Sequence, residues 1–260
     1  MRFNSFLRDL LSPGDRRVRS ISNNRQKERD MRTRTNWILA GAGLALAFAV
    51  CTPAARANIL VDPGFEVNPL DTAFNVLTNF PTYQGVWGVE VATVVGAENG
   101  VTPAQGVKML RMADDGNVTT QGFQTTDVTS YGAAISTGSA TVNLSAQFNV
   151  DKGVPAAVAG IFVQFFSAAS YGSQIGIPIS SSLTLDSNPN TWETVSVSGT
   201  IPIGTTWLMS QVYYSDASLL GIDGLSHPGY VDAADATIVP EPASVGLLVL
   251  AGMAVRARRR

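Results

Sequence analysis

The chain has 260 residues, is 45% hydrophobic and 15% charged, and its 18 Lys and Arg nearly balance 20 Asp and Glu. The balance is an average over unlike segments: between 58 and 238 the only cations are Lys108, Arg111 and Lys152, set against a clear excess of Asp and Glu. That excludes a nucleic-acid surface on the body, because phosphates must be neutralised by Lys and Arg. With one cysteine, Cys51, a disulfide framework is excluded, and with one histidine, His227, so is a histidine-rich zinc site.

Residues 1–30 are polar and basic. The pattern changes at Met31, the expected true start. Arg32 and Arg34 precede an apolar run over 37–50, and Ala55-Arg56-Ala57 supplies a small-residue cleavage pattern. This is the layout of a secretory signal peptide, with cleavage expected between Ala57 and Asn58. Phe48-Ala49-Val50 before Cys51 fits a lipobox poorly, so residues 1–57 are read as extension plus signal peptide.

The body, 58–236, reads as strands and turns. Asn58-Ile59-Leu60-Val61 opens and Asp62-Pro63-Gly64 turns. Segment 87–95 alternates, with Val89, Val91, Thr93 and Val95 on one face. Segment 108–112 follows a Pro-Ala-Gln-Gly turn. Segment 141–150 is the cleanest strand, with Val142, Leu144, Ala146, Phe148 and Val150 on one face. Ile161, Val163 and Phe165 alternate next, followed by 192–198, 207–214 and 230–238, with Gly, Pro, Asn and Asp between them. Short alternating strands without a helical period predict two packed antiparallel sheets.

No catalytic residue stands out. His227 precedes Pro228 and lacks a neighbouring nucleophile pattern, so a surface histidine is expected. Asp114-Asp115-Gly116-Asn117 lacks the spaced ligands of a calcium loop and reads as a turn. Paired carboxylates for glycan hydrolysis could come from any two of the acids. Aromatic residues are core by default.

The tail, 237–260, has three parts. Pro240-Glu241-Pro242 is stiff and non-helical. Val245, Leu247, Leu248, Val249, Leu250 and Val255 lie in an apolar run with no polar face, and Arg256, Arg258, Arg259 and Arg260 end the chain. Residues 243–255 would span about 20 Å as a helix, short of the roughly 20 apolar residues a bilayer core needs. Snorkelling arginines extend it and favour a cytoplasmic C-terminus.

This tail resembles the PEP-CTERM sorting segment of Gram-negative bacteria. That resemblance implies processing by an exosortase, a transient membrane anchor through a C-terminal helix, and delivery to the cell surface or beyond. The body resembles the galactose-binding-like, carbohydrate-binding-module jelly rolls. The segments that carry this are 58–66 ending in Gly64-Phe65-Glu66, Val86-Trp87-Gly88, Thr102 to Leu110, Trp192-Glu193-Thr194 and Gly229-Tyr230-Val231-Asp232, with the usual second aspartate displaced to Asp235. The implied fold is all-β, a two-sheet antiparallel jelly-roll sandwich. The implied ligand is polysaccharide, with Tyr83 and Trp87 as candidate sugar contacts. The implied cofactor is a structural calcium on Glu66 and Asp232. The expectation is an exported, non-catalytic surface or matrix protein whose sandwich contacts exopolysaccharide. The alternative is a secreted glycan-active hydrolase using unidentified carboxylates.

Overall fold

A computed structural model describes residues 57–67, 70–72, 76–113, 119–215, 219–222 and 224–240. The described residues form ten strands: β1 Gly88–Val89, β2 Ala92–Val95, β3 Met109–Met112, β4 Thr119–Asp127, β5 Ala140–Val150, β6 Val158–Phe166, β7 Ile179–Thr184, β8 Glu193–Thr200, β9 Trp207–Ser215 and β10 Gly229–Pro240. They make two five-stranded sheets, ordered β1-β4-β9-β6-β7 and β2-β3-β10-β5-β8. Every strand pairing is antiparallel, and the chain passes repeatedly from one sheet to the other. This is the expected jelly-roll sandwich.

The core lies between the sheets. The alternating face of β5, from Val142 through Val150, is buried against Ile161, Val163 and Phe165 of β6 and Leu208 and Val212 of β9. Burial of this order, at about 25 cal/mol per Å² of apolar surface, is what a cysteine-free body has to hold it together.

Three local features depart from a plain reading of alternation. Segment 87–95 is not one strand. Val91 has φ 46°, and the chain turns a corner there, so β1 pairs in the first sheet and β2 in the second. Glu90 N–H still bonds Gln121 O (2.9 Å), whereas Val91 O already accepts Ala113 N–H (3.1 Å). In β10 the register shifts between Asp232 and Asp235, and Ala233 takes φ 48°. The displaced aspartate is thus a β-bulge, one extra residue in one strand. The opening segment is extended without joining a sheet. Asn58 instead bridges the bulge, its Nδ2 donating to Ala234 O (2.9 Å) and its Oδ1 accepting from Ala236 N–H (3.0 Å).

Sequence alternation leaves β4 and β7 unread. Along β4 the inward positions are Thr120, Gly122 and Gln124, which are not apolar. Gln124 is 1% exposed, and its amide accepts from Val61 N–H (2.8 Å) and donates to Val61 O (3.0 Å), standing in for a strand neighbour. The edge strand β7 is a run of serines.

The body extends further than 236. Thr237 and Ile238 are 5% exposed, and β10 pairs with β5 through Val239–Thr141 to Pro240–Ala140. The sandwich therefore reaches at least Pro240, because a paired strand end belongs to it. Among the described residues no helix is long and apolar enough to cross a membrane.

Candidate functional site

The outward face of the first sheet divides into a covered half and an open half. Directly opposed residues share a face, so two rows cross four strands there: Phe123–Gln211–Phe162–Ser180 and Gln121–Tyr213–Gly160–Ser182. On the other side of β4, a methyl added to Gly122 would meet Val89, Leu110 and Val212 of the core, which fixes the facing.

Segment 76–83, a helical turn over Val76–Asn79 followed by a 3-10 turn over Phe80–Tyr83, covers one half. Phe80 packs on Phe166 with ring centroids 4.7 Å apart, and Tyr83 meets Phe123 edge-on at 4.6 Å. Thr125 Oγ1–H donates to Phe80 O (3.0 Å) and ties the cover down.

The other half holds a cavity of about 560 Å³ floored by Gln121, Gln211, Phe162 and Tyr213 and bordered by Glu90, Thr119 and Ser180. Gly160 sits opposite Tyr213, and a methyl there would lie 2.7 Å from Tyr213 Cε1. Without a Cβ on Gly160, the tyrosine ring can lie down over β6. The polar floor is a directed chain. Gln121 Nε2 donates to Glu90 Oε2 (3.3 Å), and Gln211 Nε2 donates to Gln121 Oε1. A carboxylate can only accept, so it fixes the orientation of both amides and turns Gln211 Oε1 away from the chain. Among the described residues lining the cavity, Glu90 is the only acid and none is basic. The arrangement offers two ring surfaces beside planar hydrogen-bonding groups.

Tyr83 and Trp87, the expected sugar contacts, are elsewhere. Tyr83 is 0% and Trp87 1% exposed. Trp87 stacks near Phe65 at 5.0 Å and donates Nε1–H to Asp62 O (3.1 Å). Buried rings cannot stack on a ligand, so both are structural. The aromatic surface belongs to Phe162 and Tyr213, and the signal that could have found them is Gly160, a glycine in the interior of a strand.

Glu66 and Asp232 do meet at one end of the sandwich, around the loop before β3. Glu66 Oε1 accepts from Val107 N–H (2.8 Å) and Lys108 N–H (3.0 Å), and Asp232 Oδ2 accepts from Gln105 N–H (2.9 Å). Gly106, at φ 67°, leaves room for the Glu66 carboxylate, since a methyl there would come 2.7 Å from Glu66 Cδ. Burial pushes the Asp232 carboxyl above the usual carboxylate range; backbone N–H bonds from Gln105, Ala233 and Ala104 oppose this, and the Glu66 charge adds to it. In donor type the pair fits a hard cation such as calcium, being two mutually repelling carboxylates with one out of water. Among the described residues no third acid, His or Cys joins them, so backbone carbonyls would have to supply the remaining ligands.

His227 lies half-buried in the loop before β10, with Nδ1 3.3 Å from Asp151 Oδ2. It pairs with an acid. Ala57 is exposed and Asn58 is anchored at the bulge. Pro240 ends β10; Glu241, Pro242, the apolar run and the terminal arginines lie outside the described residues, as do the signal segment and Asp114 to Asn117.

No family model matches the chain, and no curated protein matches it. Among solved structures it is similar to TmCBM61 in complex with β-1,4-galactotriose, at 16% identity and TM-score 0.43, over 71% of this chain and 99% of that one. It is similar to the CBM22-1 xylan-binding domain from Paenibacillus barcinonensis Xyn10C, at 13% identity and TM-score 0.39, over 73% and 100%. It is also similar to the C-terminal family 22 carbohydrate-binding module of Clostridium thermocellum Xyn10B, at 16% identity and TM-score 0.39, over 62% and 93%. Each likeness is one of fold.

Proposed function

We propose that this chain is an exported, non-catalytic β-sandwich that binds polysaccharide on the open half of its first sheet. The observation that carries the reading is Tyr213 lying over Gly160 beside Phe162 and the Glu90–Gln121–Gln211 chain. A pyranose has apolar C–H faces that suit an aromatic surface and hydroxyls that suit fixed amides and a carboxylate. A site with apolar walls and a few placed polar groups is the common form of a small-ligand pocket. A cavity open along its length suits part of a chain.

Glycan hydrolysis is the weaker reading. It uses two carboxylates flanking the scissile bond, and the described lining supplies Glu90 alone.

Export and sorting rest on the sequence. Arg32, Arg34, the run over 37–50 and Ala55-Arg56-Ala57 support secretion, and Pro240-Glu241-Pro242, the apolar run and the terminal arginines support exosortase processing from a transient membrane anchor. The destination is then the cell surface or the surrounding matrix. A calcium held by Glu66 and Asp232 would be structural, clamping the loop before β3 onto β10.

The test is retention in gels cast with soluble polysaccharides, with reducing ends assayed in parallel. Retention without new reducing ends, lost in Tyr213→Ala and in Phe162→Ala, is expected. No retention by any polysaccharide, or retention indifferent to both substitutions, overturns the reading; release of reducing ends by the parent but not by Glu90→Gln favours a hydrolase.

A further inference from the structure

The cavity's electrostatics go further than the class of ligand. The five strands of the first sheet contain no Lys or Arg. In sequence no cation occurs between Arg111 and Lys152 or between Lys152 and Arg256, the stretches that hold β4, β6, β7 and β9. Glu90 sits at the border of the cavity, and its bond to Gln121 sets the direction of the whole polar floor. Gln121 gives one amide hydrogen to Glu90 and Gln211 gives one to Gln121, so the lining keeps N–H and O–H donors beside its acceptors, and its one charged group is the Glu90 carboxylate. A lining with one carboxylate and no Lys or Arg attracts a cationic ligand and repels a carboxylated or sulfated chain. The two amides and the carboxylate are held in one chain, so little ordering remains to be done on binding.

We propose that the Glu90 cavity selects amino-bearing glycans: chains with free hexosamine amines bind more tightly than their neutral N-acetylated parents, and uronate chains are rejected. The proposal rests on the glycan-binding reading above. An ammonium within reach of Glu90 forms a charge-assisted hydrogen bond at a partly exposed site, which corresponds to a gain of about fivefold or less. A uronate carboxylate meets like charge and finds no cation in the lining.

The experiment uses the full chain and three probes: glucosamine oligomers, their N-acetylated counterparts and oligogalacturonate, each titrated calorimetrically at low and high salt. Expected is a two- to fivefold preference for the free amines that shrinks as salt is raised, with no measurable uronate binding. Glu90→Gln, with unfolding checked to match the parent, should bring the ratio of free-amine to N-acetyl affinity to about one and remove its salt dependence. Equal binding of amine and N-acetyl oligomers, a preference that persists in Glu90→Gln, or uronate binding overturns the proposal while leaving a glycan site in place. Absence of binding by all three probes, with retention by other neutral polysaccharides that Tyr213→Ala abolishes, overturns it too and leaves the broader reading standing.

Discussion

Gly160 lies directly opposite Tyr213 across β6 and β9, and the absence of a side chain on one is what lays down the ring of the other. A methyl at Gly160 would reach the ring at 2.7 Å from Cε1, a distance real side chains do not tolerate, so the ring has to lift. Tyr213 is at the sheet surface and has room to do so. Gly160→Ala should therefore weaken polysaccharide retention about fivefold, near 1 kcal/mol of lost ring contact, while the unfolding midpoint changes little. Unchanged retention would show that the ring position does not matter.

Tyr214, the next residue, faces the core and stitches the two sheets together. Its hydroxyl lies 2.7 Å from Asn149 O and 2.8 Å from Tyr230 O, and accepts from Tyr230 N–H at 3.1 Å. Asn149 and Tyr230 are paired across β5 and β10 in the second sheet. Burial pushes the Tyr214 hydroxyl well above the ordinary phenol range, so it stays a neutral donor. Tyr214→Phe leaves that N–H without the hydroxyl and should cost about 1–3 kcal/mol in denaturant unfolding. Gly229→Ala drives a methyl to 2.6 Å from Tyr214 Cε2 and should disturb the same contact by a separate route. A Tyr214→Phe variant as stable as the parent would show that the hydroxyl contributes nothing.

How legible all this is from sequence follows the burial pattern. The β5 strand is plain because its inward face is uniformly apolar, β6 follows for the same reason, and β9 is legible from Leu208, Val212 and Tyr214 although Ser210 interrupts that face. The β4 strand is hidden because its inward side chains are Thr120, Gly122 and Gln124, stabilised by hydrogen bonds rather than by apolar alternation. The corner at Val91 is hidden because a valine at positive φ obeys tertiary packing against its own preference. The Glu66–Asp232 meeting comes from motif likeness at both ends of the body. The proposed binding face escapes, because its aromatic residues sit on strands whose other faces are core, and nothing in one strand says which neighbour covers it.

The N-terminus should be made by cleavage after Ala57. Among the described residues Asn58 is the first with a structural task, bridging Ala234 and Ala236 at the bulge through both polar atoms of its amide. Mass spectrometry of exported material should find Asn58 first; retention of residues 31–57 would refute it. At the other end, truncation after Pro240 should leave a cooperative unfolding transition, because β10 is complete there. Truncation before Thr237 should lower stability, since it strips Thr237, Ile238, Val239 and Pro240 from β5. A molten Pro240 truncation would mean the tail packs on the sandwich.

Asp232 gives the last prediction a definite sign. Its carboxyl is raised by burial, so the folded chain holds that proton more tightly than the unfolded chain. Its contribution is fully present below the ordinary carboxylate value and is lost as pH rises from there through the raised one. In chelator, then, the stability difference between the parent and Asp232→Asn should shift against the parent as pH rises from about 4 to 7. A cation inverts this, because calcium binds the ionised form and must displace the proton. With calcium in excess the parent should instead gain on Asp232→Asn over the same interval, and at a hundredfold excess over Kd the stabilisation would be about 2.7 kcal/mol. Lys108, whose Nζ donates to Glu66 O (3.1 Å), ties down the same loop. Thermal melting at several pH values, with calcium and with chelator, reads all of this. A calcium shift that persists in Glu66→Ala combined with Asp232→Ala would place the ion elsewhere, and no shift at any pH would leave two carboxylates held by backbone N–H groups alone.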